Sequence, residues 1–169
     1  QEDEHRLTCA WHEEKNEKAL HEITNSYVRL VVSIALRYRH YKIPLSDLIQ
    51  EGVIGLLEAA ERFQPNRNVR FSAYAKWWIR AYIQSFILRN WSIVRTGTTS
   101  AHKNLFFSLN RIKDSLLSVS TDDMSDDVRQ KISELLKVTV QDVTFMEQRL
   151  GAHDFSLSAP TSQEGNVDW

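Results

Sequence analysis

Cysteine occurs once, at Cys9, so no internal disulfide can hold this chain together and packing alone has to do it. That usage fits a reducing compartment, and a cytoplasmic location is expected. Proline occurs three times and glycine five times in 169 residues, too few for a loop-rich or low-complexity chain. Long apolar runs are missing as well. The most apolar stretch, residues 30–36, is too short to span a bilayer and is bounded by Arg29 and Arg37, so no membrane partner is expected. No signal-peptide pattern is visible. With 42% apolar residues, the chain can still build one or two small domains around a real core. It opens on charged QEDEHR and stops at VDW without a closing element, which reads as a piece of a longer protein.

Acidic residues are absent from one long block. Residues 62–113 carry ten Lys or Arg and no Asp or Glu, although the formal net charge of the chain is only -1. Asp114, Asp122, Asp123, Asp126 and Asp127 follow the block, so whole-chain charge would mislead about partners. Inside it, FSAYAKWWIRAYIQSFILRNW, residues 71–91, packs seven aromatics into 21 positions. Cations neutralise phosphate whatever the sequence, and aromatic rings stack on bases that have left a duplex. Aromatics at helical spacing also fill cores, and some of these rings must do so. Tyr74, Trp78, Tyr82 and Phe86 recur every fourth position, whereas Trp77 falls beside Lys76 and Arg80 on a second stripe. Neighbouring residues on a helix point about 100 degrees apart, so one neighbour cannot cover both stripes. At least one of Tyr74, Trp77 and Trp78 is expected to be reachable, with Arg67, Arg70, Lys76, Arg80 and Arg89 around it.

The pattern predicts an all-α fold. Apolar residues recur at spacings of three and four across about residues 7–39, and Pro44 marks a break after His40. The next helix runs to about Phe63, with Ser46 or Asp47 as its cap and Gly52 and Gly55 inside it, where a close helix crossing would explain them. Pro65, Asn66 and Asn68 make a turn, and Ser72 is a candidate cap for a long helix over residues 73–90. Further helices fit residues 101–117, 127–136 and 141–150. Thr139 and Asp142 resemble a capping box, and the last two helices a helix-turn-helix-like pair. Residues 151–169 are polar and aperiodic and read as extended.

No catalytic arrangement gathers force: there is no phosphate-cradling Gly-rich loop, no metal-spaced Cys pair, and no HExxH or GxSxG sequence. The chain reads as a non-enzyme without cofactor or metal. The six histidines are scattered; His5 and His12 share a helical face, where a solvated pair is expected. Cys9 reads as partly packed rather than nucleophilic.

Residues 43–95, IPLSDLIQEGVIGLLEAAERFQPNRNVRFSAYAKWWIRAYIQSFILRNWSIVR, preceded by YVRLVVSIALRY, resemble the primary-type sigma factors of bacterial RNA polymerase. HKNLFFSLNRIK at 102–113 is similar to the signature box of the heat-shock subclass, and DFSLSAP at 154–160 to its later segment. The box comprises His102, Lys103, Asn104, Leu105, Phe106, Phe107, Ser108, Leu109 and Asn110. The resemblance implies a helical bundle for residues 1–95 (regions 1.2 and 2), a small three-helix region 3 over 96–152, the start of the region 3.2 loop at 153–169, and no region 4.

It also implies a function: binding core RNA polymerase, then recognising and melting the minus-ten promoter element of heat-shock or stress genes. Asp47, Gln50, Glu51, Val53 and Leu57 would meet a coiled coil of the largest subunit, Val53 replacing the usual Asn. Phe71, Tyr74, Lys76, Trp77, Trp78, Arg80, Ala81 and Gln84 would meet minus-ten DNA and capture a flipped base. Ala81 stands where housekeeping members carry Gln, and Gln84 can present a bidentate amide to a base edge. Arg67, Arg70, Arg89 and Arg95 would contact phosphate. Expected partners are core polymerase, promoter DNA as duplex and as unpaired non-template strand, and chaperones or a regulatory antagonist. The alternative is a helical interaction module that binds a transcription protein without melting DNA, which would leave the basic aromatic stripe unused.

Overall fold

A computed structural model describes residues 2–66, 69–93, 99–117 and 126–151. Every element among them is helical: α1 Glu2–Glu14, α2 Glu17–Ala35, a 3-10 helix Leu36–Tyr41, α3 Leu45–Arg62, α4 Phe71–Asn90, α5 Ser100–Leu117, α6 Asp126–Leu136 and α7 Val140–Gly151. None is long and apolar enough to cross a membrane. Packing divides the chain into two units between Trp91 and Ser92. The expected extended tail at 153–169, and the positions of Arg67 and Arg95, lie outside the described residues.

In the first unit, the helices expected over about residues 7–39 are present and divide at Lys15 and Asn16. Lys15 adopts a left-handed φ of 50° and Asn16 caps α2, its Oδ1 accepting the Lys18 and Ala19 N–H groups at 3.0 and 3.4 Å. The break before Pro44 is present, with Lys42 at φ 58° after the 3-10 turn. The expected side-chain caps of the next two helices are corrected. Pro44 itself opens α3, and the Ser46 hydroxyl donates to Asp47 Oδ1 at 3.1 Å. Arg70 opens α4 without a side-chain bond, which puts Ser72 already inside the helix.

The tightest packing is between α3 and α4, which run antiparallel: Gly52 faces Ile83 and Ile79, and Gly55 faces Ile79 and Trp78. A Cβ at residue 55 would lie 2.8 Å from the Trp78 carbonyl oxygen and 3.0 Å from the Ile79 Cα, so backbone meets backbone there. The two interior glycines therefore mark a close crossing, as the sequence suggested. This crossing selects which face of α4 is packed. Phe71, Ala75, Ile79, Ile83 and Ile87 are fully buried, as are Val31 of α2 and Leu48 and Leu56 of α3. The line Tyr74, Trp78, Tyr82 and Phe86 is half-buried on the flank. Bulky rings do not fit where two backbones nearly touch, whereas Ala and Ile do.

In the second unit α5, α6 and α7 share a core of Leu105, Phe106, Leu109, Ile132, Val143 and Met146. The Thr139–Asp142 capping box forms: the Thr139 hydroxyl and N–H donate to Asp142 Oδ2 at 2.7 and 3.3 Å, and the Asp142 N–H donates back to Thr139 Oγ1 at 3.1 Å. His102 Nε2 bonds Asp142 Oδ1 at 3.1 Å, linking α5 to α7, and Arg129 joins Glu147 at 3.0 Å and Asp126 at 2.7 Å. The Thr139 bond and then the His102 bond hold the Asp142 carboxyl below its usual pKa.

Candidate nucleic-acid interface

The first unit carries two separate surfaces. Along the outer face of α3 lie Asp47, Gln50, Glu51, Ile54, Leu57 and Glu58. Gln50 is exposed, Asp47, Glu51 and Val53 are half-buried, and Ile54 and Leu57 are 47% and 38% exposed. Leu45 adds a further open apolar side chain at the start of the helix. Acidic groups next to exposed aliphatics one turn apart suit a protein partner better than a polyanion.

The second surface is built on α4. Its outward stripe holds Lys76, Trp77, Arg80, Ala81 and Arg89, all exposed, with Arg70 exposed at its start. Trp77 is 75% exposed, so of Tyr74, Trp77 and Trp78, at least one of which was expected to be reachable, it is the open one. Among the described residues, Arg70, Lys76 and Arg80 join no ion pair.

Beside this stripe, where the end of α3 meets the start of α4, opens a cleft of about 570 Å³. Its walls include Phe63, Tyr74 and Trp78, with Glu61, Arg62, Gln64, Val69 and His12 completing it. The rings form a chain of contacts: Phe63 to Tyr74 at 5.6 Å between centroids, Tyr74 to Trp78 at 6.3 Å, Trp78 to Tyr82 at 6.4 Å. The Arg62 guanidinium lies over the Trp78 ring at 5.1 Å, held there by Glu58 one turn back. That hydrogen bond raises the Arg62 pKa further above its already high value.

Phe71 sits behind the wall rather than on it. It is fully buried, edge-on to Tyr27 and to Phe63 at 5.2 Å each, so in this structure it props the cleft and touches nothing outside. Gln84 is half-buried and its Nε2 donates to Tyr38 Oη at 3.1 Å, so a bidentate reading of a base edge would require breaking that bond. Burial raises the Tyr38 pKa, with the Gln84 bond opposing it, and the phenol stays a neutral acceptor for the amide. The structure brings Tyr74, Trp77, Trp78, Lys76, Arg70 and Arg80 to one end of α4 and leaves Arg89 at the other.

Within the subclass box, Leu105, Phe106 and Leu109 are buried and Phe107 is half-buried, packing edge-on to Phe106 at 5.0 Å. His102 and Ser108 are half-buried and Lys103 and Asn104 exposed; the side chain of Asn110 lies outside the described residues. Three of the nine box residues are thus core of the second unit.

Sequence reasoning missed six cleft residues: His12, Glu61, Arg62, Phe63, Gln64 and Val69. The first comes from a helix 50 positions upstream of the wall residue Arg62, and no local pattern announces such a meeting. His12 was expected to be solvated, and that expectation is corrected: it is half-buried, and its Nε2 is enclosed. His5 is exposed, 3.6 Å from the half-buried Cys9 Sγ through its Nδ1.

Residues 23–93, which hold both surfaces, match the family described as sigma-70 region 2. Over 167 residues the chain is 40% identical to an RNA polymerase sigma factor RpoH of Caulobacter vibrioides, covering 99% of this chain and 57% of that protein. It is 48% identical over 138 residues to the RNA polymerase sigma-B factor of Myxococcus xanthus, covering 82% of this chain and 56% of the relative. It is 39% identical over 172 residues to an RNA polymerase sigma factor RpoH of Zymomonas mobilis, with 99% and 57% covered. The chain thus spans a little over half the length of these curated relatives. With a region 2 match across the helices that carry the cleft, and similarity to RpoH-type proteins along nearly all its residues, the chain belongs to the sigma-70 family of RNA polymerase sigma factors, in the heat-shock subclass.

Proposed function

We propose that this chain docks on core RNA polymerase through the outer face of α3 and opens the minus-ten promoter element by capturing an unstacked non-template base in the aromatic cleft. The observation that carries the proposal is the cleft itself. Ligand sites of 300–1,000 Å³ accept small planar molecules, and here about 570 Å³ is walled by three rings and a cation beside an exposed basic stripe. Trp77, projecting next to the cleft, is suited to cover the edge of the duplex that remains paired.

The mechanism is binding energy applied to opening. Extruding a base costs a few kcal/mol, and stacking on an aromatic wall recovers about 1–3 kcal/mol per base. Arg70, Lys76 and Arg80 hold the phosphates alongside, which adds affinity without sequence preference. Docking through Asp47, Gln50, Glu51, Val53 and Leu57 fixes the cleft against the DNA. The core-forming α5–α7 unit is read as region 3, lying along duplex upstream. Heat-shock or stress promoters are the expected targets, and chaperones or an antagonist the expected regulators.

The test is binding of reconstituted holoenzyme to a promoter fork with an unpaired minus-ten strand. Tyr74→Ala and Trp78→Ala should each weaken binding several-fold relative to the same fork with an abasic site at the captured position. If neither variant changes the preference for a base over an abasic site, the cleft is not where the base goes.

A further inference from the structure

His12, on α1, is a polar wall residue of the cleft whose ring Nε2 is enclosed without a hydrogen-bond partner among the described residues. An enclosed imidazole nitrogen without a partner is uncommon, because burial has already removed the water it would otherwise bind. Trp11 Nε1 shares that condition, but Trp11 does not line the cleft, so a ligand there would not reach it. Of the other walls, Tyr74, Trp78 and Phe63 present rings, Arg62 is engaged with Glu58 over the Trp78 ring, and Glu61 and Gln64 are polar but exposed to solvent. Stacking surfaces accept every base about equally, since each base has a π-face. Discrimination needs a polar group facing a base edge.

We infer that His12 is a specificity-determining residue of the cleft, its imidazole hydrogen-bonding the polar edge of the captured base. This rests on the base-capture reading above and goes beyond it by naming a group from α1, outside both the basic block and the aromatic helix. The ring is well suited to the task. A neutral imidazole offers one donor and one acceptor, and because its Nε2 is enclosed the ring has to rotate about χ2, a broad torsion, to present that nitrogen to a base. The partner it acquires is the one the empty cleft lacks.

Holoenzyme is tested on promoter forks carrying each of the four bases, or an abasic site, at the captured position, with His12→Phe, His12→Gln and Trp78→Ala. His12→Phe keeps a flat ring and removes the hydrogen bond. It should lower affinity for the preferred base about 5- to 10-fold, leave the abasic fork unchanged, and so compress the spread among bases. His12→Gln, which keeps a donor and an acceptor, should retain part of the spread. An equal loss on all forks, abasic included, would make His12 a packing residue and overturn the inference, as would an unchanged spread. Trp78→Ala separates the two readings: if it leaves the base-over-abasic preference intact, the cleft does not capture the base and both fall. If it erases that preference while His12→Phe leaves the spread among bases untouched, capture stands and only the role of His12 fails.

Discussion

Gly55→Ala should destabilise the first unit although alanine is the better helix former. The new methyl would lie 2.8 Å from the Trp78 carbonyl oxygen and 3.0 Å from the Ile79 Cα, and neither atom can swing aside as a side-chain tip would. Overpacking costs about 1–3 kcal/mol, with rigid backbone at the upper end, while exchanging an interior Gly for Ala recovers about 1 kcal/mol of helix propensity. The net loss is about 2 kcal/mol, or roughly 30-fold in the folding equilibrium. Gly52→Ala makes the instructive contrast. Its methyl would meet the Val31 Cγ1 at 2.6 Å and the Ile83 Cδ1 at 3.2 Å, both side-chain atoms. Truncating Val31 to Ala should relieve much of that clash, giving a favourable coupling of about 1 kcal/mol between the two substitutions. Val31→Ala should give Gly55→Ala no such relief. Urea unfolding of the single and double variants measures both quantities. Gly55→Ala at or above wild-type stability would refute the crossing, as would equal rescue of the two glycine variants by Val31→Ala.

Glu51→Lys should weaken binding to core polymerase at least several-fold in a direct titration, because it inverts a half-buried charge on the proposed docking face. Arg70→Ala or Lys76→Ala should weaken binding to different promoters alike and lower the salt slope by about one, read from affinities across a salt series. Phe71→Ala should cost about 3–5 kcal/mol of stability, since the ring is 0% exposed, while Trp77→Ala should leave the melting curve nearly unchanged. In the second unit, Asp142 has a folded pKa below its ordinary 3.8, so its contribution is complete above that value and is lost as pH falls through the lowered one. Amide signals at the start of α7 should report that loosening in an acid titration, and Asp142→Asn should remove the dependence.

Some of this was readable in the chain itself. Gly52 and Gly55 inside one helix were open to explanation by a close crossing, and the offset of Trp77 from the Tyr74–Trp78 line put it on a wetter stripe beside Lys76 and Arg80. The choice between two lines of α4 was not readable. Both the Phe71–Ala75–Ile79–Ile83–Ile87 line and the Tyr74–Trp78–Tyr82–Phe86 line repeat every fourth residue, so periodicity fits either equally. Only the backbone contact at Gly55 decides for the slimmer one. Ser46 and Ser72 misled as caps because the non-helical cap backbone falls two residues earlier in each case, at Pro44 and Arg70. The cleft eluded the sequence for a similar reason: it is assembled from the ends of α1, α3 and α4, and none of its ring-to-ring distances is encoded locally.

The central claim, that these aromatics open DNA rather than fill a core, is tested most directly by permanganate reactivity of minus-ten thymines in reconstituted holoenzyme with Trp77→Ala. Stacking loss of about 1–3 kcal/mol predicts an open-complex equilibrium roughly 5- to 150-fold lower at unchanged core affinity and thermal stability, partly restored on a template already unpaired across the element. Normal thymine reactivity from a destabilised variant would contradict the account and return Trp77 to a structural role.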